Sequence, residues 1–444
     1  VDARIDVKAG SRPSGDEALP AEQMAQVAAA LPGGVLFSPP FPNTTAAHRP
    51  PDEEWPLVGA WSYKGLPATG TAHVYRARGR SELQRPLIFA DGFRYGPSDM
   101  PGLYDYLNTR YADGRSGLLD ELQEQGYDVI LLGFGERHTY IQANAGVAAS
   151  CIFRANAQKI GGEPMAVGGI SMGGLVTRYA LARLEYNRMD HNTGVYFSLD
   201  SPHNGAWIPL ILQQLAYFSE KYGEKPPPGQ PSQADLIKSP AAQQLLWAWV
   251  PSEDYSGPVA TASPLRGEFL QDLRDVGWFP QRPIKLGMAS GRGDGTGNGV
   301  PAGAQVFDWN GPLGVNATAL TQPDGGVDQY VGGKKLLWRT NSTTTAVPAH
   351  DGAPGGTLDS FKLVAEGLGV EIDPVFENTC FVPTISAVAA SYDPVTWPMD
   401  LSTAANDLNP DQYDLDAFVC DETNSPHGQV TEPLASWLLD QLGK

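Results

Sequence analysis

Four times between residues 86 and 205 a short apolar run alternates with a helix-like segment. The runs are "RPLIFADGF", "DVILLGFG", "PMAVGGIS" and "TGVYFSLDSPHNG". Between them stand "GLLDELQEQGY", "YIQANAGVAASCIFRANAQKI" and "MGGLVTRYALARLEYN". Strands that are apolar without alternation must be buried on both faces, and strands joined through helices run parallel. The pattern therefore predicts an α/β chain: a mostly parallel sheet with helices on both faces.

The flanking sequence extends this core. Residues 1–50, rich in Pro and Ala, read as an N-terminal arm. Residues 51–205 form the first part of the core and open with two strands, "WPLVGAWSYK" and "TAHVYRARG", paired as an edge hairpin. Three helix-like segments with Pro/Gly links over 206–280 read as a helical cap. The strand "RPIKLGMASG" then returns to the sheet, so that 281–444 complete the core, with an added antiparallel hairpin at about 302–345. "CFVPTISAVAA" is the last strand candidate and "VTEPLASWLLDQLGK" a closing helix.

Composition narrows the function. The 444 residues are 41% hydrophobic and 18% charged, as in globular proteins, and they carry a formal net charge of −19. That field repels a phosphate backbone, which argues against a nucleic-acid partner. No apolar run reaches the roughly 18 to 20 residues that span a bilayer. The start "VDARIDVKAG" has no signal-peptide core, and the chain is expected to be secreted or periplasmic after loss of such a segment. Of the three cysteines, Cys151 reads as a small buried hydrophobe. Cys380 and Cys420 flank the last major loop and are expected to form a disulfide. The oligomeric state is not legible.

The stretch Gly169–Gly173, "GISMG", ends an apolar strand and opens a helix. A serine at such a corner is exposed on a sharp turn, with a following backbone N–H and a helix N-terminus facing it. Ser171 is the candidate nucleophile, and the Met172 N–H one oxyanion donor. The second donor should come from an earlier strand end; "FADGFRYG" offers Phe93, with Arg94 as runner-up. A base later in the chain is needed to take the serine proton. His427, in "NSPHG" between the last strand and the final helix, is the candidate; His203, in "LDSPHNGA", reads as structural or pocket-lining, and His138 as a possible pocket residue. The acid is assigned to Asp294 in "GRGDGTGNG", with Asp200, Asp351 and Asp421 as rivals. No cofactor is required. A structural calcium site is considered in the Asp294 loop and among Asp400, Asp407, Asp411, Asp414 and Asp416, where a solvated acidic loop is the competing reading.

These motifs, "PLIFADGF", "GGISMGGLVTRYA", "SLDSPHNGA" and "NSPHG", resemble the α/β-hydrolase superfamily on its lipase and esterase side. The resemblance covers about 86–300 and the last 60 residues or so. It implies an α/β-hydrolase fold and a Ser-His-Asp serine hydrolase acting on a small-molecule or polymeric ester. Ser171 would be the nucleophile, His427 the base and Asp294 the acid. Lipases of this kind often carry His-Gly where this chain has Asp91-Gly92, a departure from the pattern. Ser201, Pro202 and His203 match a Ser/Thr-Pro-His stretch whose histidine is usually not the base. An amidase or peptidase with the same triad, and a non-catalytic binding module on the same fold, are the alternatives.

Overall fold

The structure, a computed structural model, describes residues 5–9, 19–31, 49–232, 234–251, 262–323, 329–333, 338–344, 347–394 and 399–444. Much of the expected arm and part of the expected cap, 252–261, lie outside these residues. In chain order, β1 (Ile5–Ala9) and α1 (Ala21–Ala30) precede the edge hairpin of β2 (Glu53–Val58) and β3 (Thr69–Tyr75). The alternating core follows: β4 (Pro86–Ala90), α2 (Met100–Leu107), α3 (Leu118–Glu124), β5 (Asp128–Phe134), α4 (Ile141–Gln158), β6 (Met165–Ile170), α5 (Met172–Tyr186) and β7 (Thr193–Leu199). Four helices come next, α6 (Leu210–Tyr222), α7 (Asp235–Lys238), α8 (Pro240–Leu245) and α9 (Pro264–Asp275), and then β8 (Ile284–Arg292).

The main sheet has eight strands in the order β15-β8-β7-β6-β4-β5-β3-β2, where β15 is Ala417–Asp421. From β15 to β5 every neighbour is parallel; the β5–β3 and β3–β2 pairs at the other edge are antiparallel. Strands β4, β5 and β6 are buried at every residue, which is why their sequences are continuously apolar. Helices α4 and α5 pack on one face; α2, α3 and the closing helix α12 (Glu432–Leu442) pack on the other. This is the α/β-hydrolase arrangement, and it brings the C-terminal ends of β4, β6, β7, β8 and β15 to one edge.

Two expectations change. The region expected as one hairpin contributes four strands, β9 (Gln305–Asn310), β10 (Val315–Leu320), β11 (Gln329–Gly333) and β12 (Trp338–Thr344). They form an antiparallel sheet in the order β1-β12-β11-β10-β9, completed by β1 from the N-terminal region. Helix α6 packs on this smaller sheet. The apolar run at Cys380 is also not the last strand of the main sheet. It lies in β14 (Thr379–Pro383), which pairs with β13 (Gly355–Leu358) as a separate two-stranded sheet; α10 (Ser360–Leu368) separates the two, and α11 (Thr384–Ala387) follows. The last main strand is β15, five residues that follow the acidic loop. Among the described residues no helix is long and apolar enough to cross a membrane.

Candidate active site

Ser171 sits between β6 and α5 with φ 54° and ψ −127°, a backbone conformation that costs an L-residue of order 1–3 kcal/mol and persists only when the surroundings impose it. The surrounding glycines make the turn possible. A Cβ on Gly169 would lie 2.4 Å from the Gly173 carbonyl carbon, and one on Gly173 would lie 2.4 Å from the Ala90 oxygen. A Cβ on Gly174 would lie 2.0 Å from Ser201 Oγ. The glycines thus let the start of α5 close onto the ends of β4 and β7.

His427 reaches this corner from the loop after β15. Its main-chain N–H donates to the Thr357 carbonyl at 2.9 Å, and its own carbonyl accepts from the Tyr106 hydroxyl at 2.7 Å. The Phe381 ring meets the imidazole edge-on, with centroids 4.8 Å apart. Held this way, the imidazole lies between two partners. The Ser171 hydroxyl donates to Nε2 at 2.7 Å, and Nδ1–H donates to Asp200 Oδ2 at 2.7 Å. All three side chains are buried.

The carboxylate against His427 is therefore Asp200, and the assignment of the acid to Asp294 is corrected. Asp200 follows β7, the strand beside β6, and stands in the left-handed region at φ 49°. Its N–H donates to the Met288 carbonyl at 2.7 Å, and its Oδ1 accepts from the Ser290 N–H at 3.0 Å. Asp294 lies beyond β8 at the surface, where it accepts from Arg292 Nε at 3.1 Å and from the Thr296 N–H at 3.0 Å. Those contacts hold its carboxyl well below the usual range. The other rivals are also engaged elsewhere: Asp351 accepts from Trp207 Nε1, and Asp421 from the Ser425 hydroxyl.

Gly92 packs against Ser171, since a Cβ there would lie 3.1 Å from Ser171 Cβ. Among the described residues, neither the Phe93 nor the Met172 main-chain N–H is taken by a protein acceptor. Sequence reasoning missed the brace of this loop. Asp91 accepts from the Gly92 N–H at 2.7 Å and from Arg137 Nη1 at 3.4 Å. Arg137 also donates to the carbonyls of Gly96 and Pro97. Burial pushes the Asp91 carboxyl up and the Arg137 guanidinium down, and each partner's charge opposes the other's shift. The signal was present as an acid where a histidine was expected. His138 accepts from the Gly96 N–H at 3.0 Å and stacks on Tyr95 with centroids 4.1 Å apart; its carbonyl accepts from Ala241, tying this loop to α8.

An apolar cavity lies beside Phe381, whose ring packs on His427. Phe93, Phe381, Ile208, Leu246, Leu236 and Ile237 of α7, and Ala242 and Leu245 of α8 line it.

The expected disulfide is absent: Cys151, Cys380 and Cys420 are free thiols. Cys380 lies in the two-stranded sheet, with Sγ toward the Pro354 carbonyl, whereas Cys420 lies in β15 of the main sheet. Among the described residues, no group of three His, Cys, Asp or Glu side chains is placed to hold a metal ion. In the acidic loop, Asp400 accepts from the Ser402 hydroxyl, Asp414 from Trp278 Nε1, and Asp416 pairs with Lys285.

No family model matches the chain, and no curated protein does. Solved structures match in part. The esterase Est22 is 14% identical at TM-score 0.26, over 37% of this chain and 47% of its own, so the match spans about half of that protein. A hyperthermophilic esterase from the archaeon Pyrobaculum calidifontis is 12% identical at TM-score 0.31, over 54% and 65%. Est1E from Butyrivibrio proteoclasticus is 12% identical at TM-score 0.28, over 52% and 77%. Likeness at this level carries no argument about activity.

Proposed function

We propose that the chain is a serine hydrolase that cleaves carboxylic esters with an apolar acyl group. The observation that carries this reading is the imidazole of His427, hydrogen-bonded at 2.7 Å to Ser171 Oγ on one side and to Asp200 Oδ2 on the other. His427 Nε2 takes the hydroxyl proton as Ser171 Oγ attacks the ester carbonyl. Asp200 holds the imidazole with its proton on Nδ1 and stabilises the imidazolium as it forms. The Phe93 and Met172 N–H groups receive the oxyanion. Collapse of the tetrahedral adduct breaks the bond to the alcohol, which leaves with the proton from Nε2. Water, deprotonated by the same nitrogen, then attacks the acyl-serine, releases the acid and restores Ser171.

The apolar cavity beside Phe93 and Phe381 supports an apolar acyl group, because its walls offer hydrocarbon and aromatic surface. The test is a panel of p-nitrophenyl esters and anilides with a fluorophosphonate label. Wild type should turn over esters and take one label on Ser171. Ser171→Ala should lose the label and reduce turnover by about 10³-fold or more. Turnover of Ser171→Ala within tenfold of wild type would sink the reading. Anilide turnover matching that of esters would make the protein an amidase.

A further inference from the structure

Arg178 lies on α5, seven residues after the candidate nucleophile, and is fully buried. Among the described residues no carboxylate pairs with it. Its Nε donates to the Trp278 carbonyl at 2.8 Å, and its guanidinium carbon lies 3.5 Å from the Phe279 ring centroid and 4.5 Å from that of Trp278. Among the described residues, Nη2 has no hydrogen-bond partner. A buried cation without a counter-ion is expensive. Burial lowers its pKa to about 9, with Tyr196 and Asp414 acting to raise it and Arg266 to lower it, so it remains charged at neutral pH.

Its remaining contact explains what the charge does. Arg178 Nη1 stands 3.3 Å from His203 Nδ1. A guanidinium can only donate, so Nδ1 must accept, and the single proton of a neutral imidazole is placed on Nε2. That nitrogen lies 3.1 Å from Ser198 Oγ and donates to it. Burial, with the Arg178 charge as a smaller contribution, keeps His203 well below the ordinary histidine range and therefore neutral. The imidazole thus bridges the turn from Ser198 to His203, and Asp200 sits inside that turn at φ 49°.

We propose that Arg178 and His203 are positioning residues for the triad acid: the guanidinium fixes the His203 tautomer, His203 ties down Ser198, and the turn so held presents Asp200 Oδ2 to His427. This inference rests on the serine-hydrolase reading. It gives the Ser-Pro-His stretch a task distinct from catalysis or substrate contact.

The test compares His203→Phe, His203→Gln and Ser198→Ala with wild type on a short-chain p-nitrophenyl ester. Rates are normalised to folded protein by circular dichroism. His203→Phe keeps a ring but cannot accept from Arg178 or donate to Ser198; kcat should fall by roughly 30-fold or more, with KM within about twofold, since an acid out of place weakens only the transition state. In His203→Gln the amide oxygen can accept from Arg178 while its NH₂ donates to Ser198, so at least about tenfold of the loss should return. Ser198→Ala, the milder change, should lower kcat in the same direction and decides the matter if His203→Phe does not fold. Wild-type kcat in His203→Phe or in Ser198→Ala, equal losses in the Phe and Gln variants, or a loss confined to KM would overturn the inference. Wild-type protein that takes no fluorophosphonate and turns over no ester would instead overturn the serine-hydrolase reading beneath it.

Discussion

Asp200 and Asp294 each follow an apolar strand, and in sequence they look alike. Their surroundings separate them. Asp200 is buried, with one carboxylate oxygen on the Ser290 N–H and the other on the His427 ring. Asp294 is exposed and paired with Arg292. Asp200→Asn should therefore lower kcat on the order of 10³- to 10⁴-fold, while Asp294→Asn should stay within about twofold of wild type. Steady-state kinetics on one ester decides, and the reverse pattern would return the acid to the β8 loop. Ser171 and His427, which the structure brings together, could be picked out because the glycine spacing and the chain order are local signals. The carboxylate that meets His427 could not, because the choice depends on which strand lies beside β6, and adjacency in a sheet is set by crossovers that leave no mark on the residues at a strand end.

Helix α8 is short, with Ser239 as its N-cap and Pro240 at its first position. That start is specified locally, since the Ser239 hydroxyl accepts from the Ala242 N–H at 3.3 Å. Ala242 is the smallest of the side chains named on the cavity wall. Ala242→Phe should fill space meant for the acyl chain, and a few methylenes in an apolar pocket are worth roughly 10- to 200-fold in discrimination. The ratio of kcat/KM for p-nitrophenyl octanoate to that for the acetate should fall at least about tenfold. An unchanged ratio would place the acyl chain elsewhere. At this scale the alternating strands could be read because burial on both faces leaves them continuously apolar. The pairing of β14 with β13 could not, because an equally apolar run, β15, competes for the sheet edge. The pairing of Ile5 with Thr344 joins residues too far apart for any periodicity to report.

A buried aromatic cluster in the core shared by α6 and the smaller sheet should govern acid stability. His350 stacks on Trp207 with centroids 4.5 Å apart and packs against Trp247 at 4.9 Å. Its neighbour Asp351 accepts from Trp207 Nε1 at 2.8 Å and from the Gln322 N–H at 2.7 Å. Burial lowers His350 to about 3 and raises Asp351 to about 6. The lowered histidine contributes stability present above its unfolded value near 6.5 and lost as pH falls toward 3; from pH 7 to pH 5 that loss is about 2 kcal/mol. The raised carboxyl works in the opposite sense. Its contribution is full below its unfolded value near 3.8 and is lost as pH rises through 6, so it returns about 1 kcal/mol over the same interval. His350→Phe keeps a ring between the indoles and removes the first effect only. The melting-temperature difference between variant and wild type should shift in the variant's favour by on the order of 3 °C on going from pH 7 to pH 5. A constant difference would rule out this account. Placing the acid on β7 has one more result. The stretch beyond β8 then contributes no side chain to the Ser171–His427–Asp200 cluster, and there the Asn298 N–H donates to the Gly352 carbonyl at 3.2 Å. Departure and return of the whole excursion between them are stitched at one point. One hydrogen bond thus closes the loop at its base, so a chain cut within it should keep both ends of the excursion held beside Asp200.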